Sequence, residues 1–165
     1  DRDRIAVAGH SWGAQTVGVL LGAGVVGMEV PARDPRISAG VLLAATGTGG
    51  DDLAPFAAEH FPFMSPDFSG MTTPALIVAG DKDQSMLSAR GPEWFTDVYH
   101  LSPAPKSLLT VYGGEHSLGG ITGYAVTETT DESPERVAFI QRVTTAYLQG
   151  VPLPESDELG RVESK

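Results

Sequence analysis

Short apolar runs alternate with amphipathic segments along this chain. The apolar runs predict four buried strands, at residues 5–8, 40–45, 74–79 and 107–112. Their nearly continuous apolar character is typical of parallel strands that are covered on both faces of a sheet. Parallel neighbours need a crossover connection, and the intervening segments are long enough to contain helices. The pattern therefore predicts an α/β fold with a parallel sheet and flanking helices.

Helical periodicity marks residues 14–26, 92–100 and 134–149. In the first of these segments Gly22 and Gly24 weaken the helix propensity, so packing against the sheet must hold it. The last segment has stronger signals, because Ser133 is a typical N-cap and a proline follows it at the first helical position. Its predicted buried face consists of Val137, Ile140, Val143, Tyr147 and Leu148.

The C-terminal residues 151–165 are rich in proline and charge. Such a composition favours a flexible tail. We therefore expect one domain over residues 1–150, with a short insertion at 46–73 between the second and third predicted strands.

Residues 9–13 read GHSWG and join the first predicted strand to the first predicted helix. A G-x-S-x-G pattern at such a junction holds Ser11 on a sharp turn, with its hydroxyl clear of the sheet. Strand and helix then approach so closely that small residues, here Gly9 and Gly13, are needed on either side. The alternative is an ordinary turn serine between two glycines.

A serine hydroxyl becomes a useful nucleophile only when an oriented base removes its proton. His116 follows the fourth predicted strand, and Asp81 and Asp83 follow the third. We assign Asp83 as the acid that orients His116, and Asp81 as a turn residue. The non-catalytic alternatives are turn or N-cap roles for both aspartates and an exposed loop position for His116.

The chain order Ser11, Asp83, His116, with each residue at a strand end, resembles the serine α/β-hydrolases, in particular their esterase, chlorophyllase-like and acetylhydrolase-like members. The resemblance implies a partial α/β-hydrolase fold of four parallel strands and a Ser-Asp-His triad. It also implies that the Trp12 N–H is one donor of an oxyanion hole. In that family the serine turn, here residues 9–13, is called the nucleophile elbow, and the strand that leads into it is central to the sheet. We therefore expect the missing N-terminal half, as a second chain or segment, to be a partner of this chain.

Composition narrows the possible partners and cofactors. The net charge of −10 disfavours nucleic acid and anionic lipid as partners. The absence of cysteine excludes disulfides, thiolate catalysis and cysteine-based metal sites. No histidine spacing typical of zinc is present, and the proposed chemistry requires neither a metal nor a cofactor. The longest apolar stretch, 17–28, is too short to span a bilayer. These features do not determine the cellular compartment of the protein.

Aromatic and aliphatic side chains near the elbow suggest a small or medium apolar ester as the substrate. The residues expected to border it are His10, Trp12, Phe61, Phe63, Met64 and Leu118. For the residues of the insertion, packing in the core beneath a loop is an equal alternative to substrate contact. For Trp12 the equal alternative is packing on a neighbouring helix. We interpret His10 as a packing residue at the border of the pocket. The short insertion argues against a large helical lid.

The predicted activity is hydrolysis of carboxylic esters through an acyl-enzyme. The triad alone also fits a thioesterase, a peptidase, an acyltransferase or a carbon–carbon bond hydrolase, because a fold does not fix a function. A catalytically silent module of the same fold, which binds a partner or ligand, is the remaining alternative.

Overall fold

A computed structural model describes residues 4–27, 32–123 and 129–165. Its strands are β1 (Ile5–His10), β2 (Ile37–Leu43), β3 (Ala75–Gly80), β4 (Lys106–Val111) and β5 (Gly160–Ser164). They form one sheet in the order β1-β2-β3-β4-β5, and β1 to β4 run parallel. The predicted α/β fold with four parallel strands is confirmed, and β5 adds an antiparallel strand that was not predicted.

Helices cover both faces of the sheet. They are α1 (Trp12–Leu20), α2 (Pro55–His60), α3 (Asp97–Leu101) and α4 (Pro134–Gln149), with short 3₁₀ turns at Gly50–Asp52, Phe68–Gly70 and Pro92–Thr96. The sequence prediction extended α1 to residue 26. The helix stops at Leu20 because Gly22 adopts a φ of +113°, which a helix cannot accommodate.

The central strand β3 is buried along its whole length and supplies side chains to two apolar clusters. Ile77 packs on the side of α1, whereas its neighbours Leu76 and Val78 face α4. This alternation follows from the two-residue period of a strand. Each fully buried aliphatic side chain of this kind contributes about 1.5–3 kcal/mol to folding. The two clusters fix the sheet whose carboxyl edge carries the candidate site.

Helix α4 begins as predicted. The Ser133 Oγ accepts a hydrogen bond from the Arg136 N–H at 3.3 Å, and Gly150 closes the helix at a φ of +68°. Its buried face differs from the prediction, because Phe139 is fully buried while Leu148 is 38% exposed. Tyr147 in the last turn still packs against the apolar cluster, so of the predicted face only Leu148 is exposed.

The prediction of a flexible tail over 151–165 is wrong for residues 160–164, which form β5. This strand pairs antiparallel with β4, and the backbones of Lys106 and Lys165 exchange hydrogen bonds of 3.1 and 2.9 Å. The outer edge of β4 would otherwise leave backbone polar groups without partners. The sequence pattern did not predict this strand, because residues 151–159 are rich in proline and charge and because the only apolar side chain in β5 is Val162.

Strand β1 lies at the opposite edge of the sheet, and Ile5 on it is 36% exposed. Within the described residues its outer edge has no strand partner. The expectation that another chain or segment pairs there stays a prediction. No helix in the described part of the chain is both long and apolar enough to cross a membrane.

Lys106 is buried at the start of β4, with 2% of its surface exposed. Its Nζ donates hydrogen bonds of 2.8 Å to the carbonyl oxygens of Met71 and Pro103. Burial, with a smaller contribution from the charge of Lys165, lowers the pKa of Lys106 from 10.5 to about 8. A neutral amine still has the two N–H donors that this site uses.

We expect the unfolding free energy of the wild type, relative to Lys106→Met, to rise between pH 8 and 10.5. The unfolded chain keeps the lysine proton to higher pH than the folded chain, so the folded state gains as pH increases, by at most about 3 kcal/mol. Urea unfolding of both proteins across this range measures the difference. A difference that does not change with pH would contradict the lowered pKa.

Candidate active site

Ser11 occupies a strained turn between β1 and α1. Its backbone has φ 56° and ψ −119°, a region that non-glycine residues rarely adopt and that costs about 1–3 kcal/mol. The Ser11 N–H donates to the Leu43 carbonyl at the end of β2, at 2.9 Å. The Ser11 carbonyl accepts from the N–H groups of Ala14 and Gln15 in the first turn of α1. These bonds hold the turn from both sides.

The close approach of β1 and α1 depends on one glycine. A Cβ on Gly9 would overlap the carbonyl group of Gly13, whereas a Cβ on Gly13 would meet no atom within 4 Å. The prediction that both glycines provide space is therefore correct for Gly9 alone.

Ser11, Asp83 and His116 come together at the carboxyl edge of the sheet. His116 Nε2 lies 2.8 Å from Ser11 Oγ, and its Nδ1 lies 3.1 and 3.2 Å from the two Asp83 oxygens. An ionised carboxylate can only accept, so Nδ1 carries the proton and Nε2 is free to accept from the serine hydroxyl. The three side chains thus form the hydrogen-bonded chain that a serine nucleophile requires.

Asp83 has no exposed surface, while the His116 side chain is 40% exposed. Burial raises the pKa of Asp83, and the hydrogen bond and charge of His116 oppose that increase. The interaction with His116 therefore offsets part of the effect of burial on Asp83.

Asp81 has the structural role assigned to it. Its Oδ1 accepts a 2.7 Å hydrogen bond from the Gly113 N–H, in the turn that follows β4. The Asp81 N–H also donates to the Val111 carbonyl at 3.1 Å. Asp81 joins the ends of β3 and β4, and this places Asp83 and His116 on adjacent strand ends.

Two side-chain contacts that the sequence did not reveal fix the loop around His116. Asp131 Oδ2 accepts from the N–H groups of Glu115 and Gly119, at 2.7 and 2.8 Å, on either side of the histidine. His10, at the end of β1, places its Nε2 2.7 Å from the His116 carbonyl oxygen. Asp131 stands in a polar loop without any motif, so only the tertiary contact identifies it.

An aromatic cluster, formed by Trp12, Phe56, Phe61 and Phe63, lies next to the elbow. The Trp12 ring is 6.2 Å from that of Phe61 and 5.9 Å from that of Phe63, between centroids. Trp12 is 47% exposed and Phe63 is 42% exposed. The cluster therefore presents an apolar surface beside Ser11, and Trp12 packs on the insertion.

Two residues expected to border a substrate are instead fully buried. Met64 belongs to the apolar cluster on the α1 side of the sheet, and Leu118 to the cluster on the α4 side. Both have 0% exposed surface, so neither can contact a bound molecule in this conformation. Apolar character alone does not distinguish a pocket wall from the core beneath it.

An ion-pair network anchors the start of the 46–73 insertion. Arg90 donates to both oxygens of Asp97, at 2.8 and 3.0 Å, and to Asp52 at 3.2 Å. Thr48 Oγ1 donates to the same Asp97 at 2.8 Å, and Trp94 Nε1 donates to the Thr48 carbonyl. This network ties the insertion that carries most of the aromatic cluster to the start of α3 and to the segment before it.

A polar cleft of about 490 Å³ opens beside His116, lined by Lys82, Gln84, Glu115, His116 and Thr130. A second cavity, of about 510 Å³, lies against α4 and contains none of the three candidate residues. Within the described residues, no three His, Asp or Glu side chains are grouped so that they could hold a metal ion.

This chain matches no protein-family model and no curated protein sequence. Its functional interpretation consequently depends on the residues and geometry described above.

We expect Gly9→Ala to destabilise the protein by several kcal/mol, because its methyl group would overlap the backbone of α1. Gly13→Ala is the matched control. It adds the same methyl group where no atom lies within 4 Å, in a helix that favours alanine over glycine by about 0.5–1 kcal/mol. Denaturant unfolding measures both. Equal stabilities of the two variants would contradict the close approach at Gly9.

Proposed function

We propose that this chain carries the catalytic residues of a serine hydrolase of the α/β-hydrolase superfamily that cleaves carboxylic esters. The observation that supports this most strongly is the hydrogen-bonded chain from Ser11 through His116 to Asp83, with the serine at a positive φ. The sequential parallel order of β1 to β4 is consistent with that fold. Ligands and catalytic groups belong at the carboxyl edge of such a sheet.

In the first half of the proposed reaction, Ser11 Oγ attacks the ester carbonyl carbon while His116 Nε2 takes the hydroxyl proton. The C–O bond to the alcohol then breaks, and His116 returns that proton to the departing alkoxide. In the second half, a water molecule attacks the acyl carbon while His116 takes one of its protons. The bond between the acyl carbon and Ser11 Oγ then breaks, and His116 returns that proton to Ser11 Oγ. The water oxygen becomes part of the acid product.

Asp83 has two tasks in this proposal. It holds the His116 tautomer that leaves Nε2 free to accept, and it stabilises the imidazolium that forms during each attack. Its complete burial strengthens the second task, because an ionic interaction is screened less away from water.

The negative charge that develops on the carbonyl oxygen needs N–H donors that are already in place. The Trp12 N–H is our candidate for one of them. It belongs to the first residue of α1, and no acceptor for it is found among the described residues. Backbone donors at a helix N-terminus suit an oxyanion, since the helix dipole also favours negative charge there.

The aromatic cluster supports an apolar group as part of the substrate. Exposed rings of Trp12 and Phe63 offer a surface on which an alkyl or aryl group loses contact with water, at about 25 cal/mol per Å². We assign substrate contact to Trp12, Phe61 and Phe63, on the same side of the elbow.

The direct test is labelling with a fluorophosphonate, followed by turnover of p-nitrophenyl esters of increasing chain length. We expect the reagent to modify Ser11, and we expect Ser11→Ala to lose labelling and at least about 10⁴-fold in kcat, with its fold unchanged. Intact mass, circular dichroism and initial rates measure these outcomes. Labelling of Ser11 without turnover of any ester would refute the esterase assignment in favour of another triad reaction. Absence of labelling in the folded protein would favour a catalytically silent module.

Asp83→Asn and Asp81→Asn form a matched pair two residues apart. We expect Asp83→Asn to lower kcat by about 10⁴-fold, because the amide can donate to Nδ1 and so favour the wrong imidazole tautomer. Asp81→Asn keeps the oxygen that accepts from the Gly113 N–H, so its kcat should stay within about threefold of the wild type. If the two effects are reversed, Asp81 is the acid and the assignment is wrong.

A further inference from the structure

We propose that His10 is a positioning residue for the catalytic base: its Nε2–H donates to the backbone carbonyl of His116 and fixes the base against the strand that carries the nucleophile. This inference depends on the function proposed above. It gives the packing role expected for His10 a specific function, the support of His116, in place of substrate contact.

The loop that carries His116 needs such support. It follows β4 without helix or strand structure through residue 123, and the histidine side chain is 40% exposed. Asp131 holds the N–H groups of Glu115 and Gly119, and Asp83 contacts only the ring of His116. The carbonyl of His116 itself is held by His10, at 2.7 Å.

The chemistry of this contact determines the state of His10. A carbonyl oxygen only accepts, so the proton of His10 must be on Nε2. The His10 ring is half-buried, with its centroid 5.1 Å from that of the His116 ring. Burial lowers the pKa of His10, against the opposing effects of the His116 carbonyl and the Asp83 charge. A neutral His10 adds no like charge beside His116 when that residue becomes an imidazolium.

The position of His10 in the chain couples the two ends of the Ser11–His116 hydrogen bond. His10 is the last residue of β1 and pairs with Leu43 of β2, and the N–H of Ser11 donates to the same Leu43. One backbone segment therefore sets the nucleophile through its main chain and the base through the His10 side chain. Misplacement of a reacting group by about 1 Å can cost about 10²-fold in rate.

His10→Gln and His10→Met are the informative variants, because the two side chains have similar length and only glutamine retains an N–H donor at its end. We expect His10→Met to lower kcat by about ten- to a hundredfold while KM stays within about twofold of the wild type. His10→Gln should recover most of that loss. Both variants should unfold at similar urea concentrations, and p-nitrophenyl ester hydrolysis gives the two kinetic constants.

Equal kcat in the two variants would overturn the proposal, whether both match the wild type or both are reduced, because the donor would then be irrelevant. A change confined to KM would also overturn it and would indicate that His10 contacts the substrate.

If the wild type is neither labelled by the fluorophosphonate nor turns over an ester, the proposed function fails. The positioning role is then decided by the proton NMR signal of His116 Nδ1–H. That signal should be sharp in the wild type and His10→Gln and broadened in His10→Met. The signal is assigned to His116 by its disappearance in His116→Ala. Equal line widths in the wild type, His10→Gln and His10→Met would refute the positioning role.

Discussion

Ser11 holds a positive φ of 56° where β1 passes into α1, and the other parts of the site are arranged around that turn. A conformation that costs about 1–3 kcal/mol persists only where the surrounding structure imposes it. Here a carbonyl at the end of β2 accepts a hydrogen bond from the Ser11 N–H, and two N–H groups of α1 donate to the Ser11 carbonyl. Gly9 has no side chain, so α1 can lie against β1. Because the turn is fixed, the Ser11 hydroxyl has a defined position that a base on another strand can reach.

The parallel sheet brings that base to Ser11. Successive parallel strands end at one edge, so residues far apart in sequence meet there with little further construction. The additional construction consists of short polar contacts: Asp81 joins the turns after β3 and β4, and Asp131 and His10 hold the His116 loop. None of these three contacts takes part in the proposed proton transfers. Each restricts where His116 can lie, and the rate of a reaction of this kind is sensitive to the position of the reacting groups.

Two sides of the site differ in chemical character. The elbow side presents the exposed rings of Trp12 and Phe63, and the side beyond His116 opens into a cleft lined by Lys82 and Glu115. The ion pair between Arg90 and Asp97 fixes the insertion that supplies most of the rings. For the ester hydrolysis that we propose, this arrangement favours an ester with an apolar group on one side of the carbonyl and a more polar group on the other.

The sequence determined the parallel sheet, helix α4 with its Ser133 cap, and the three residues that the structure brings together, because these depend on local patterns and on strand ends. It did not reveal β5, whose place is decided by the open edge of β4, nor the burial of Met64 and Leu118. The contacts of His10 and Asp131 with the His116 loop were equally hidden. Such features depend on which surfaces and backbone groups remain unpartnered once the chain has folded, and only the tertiary structure decides that.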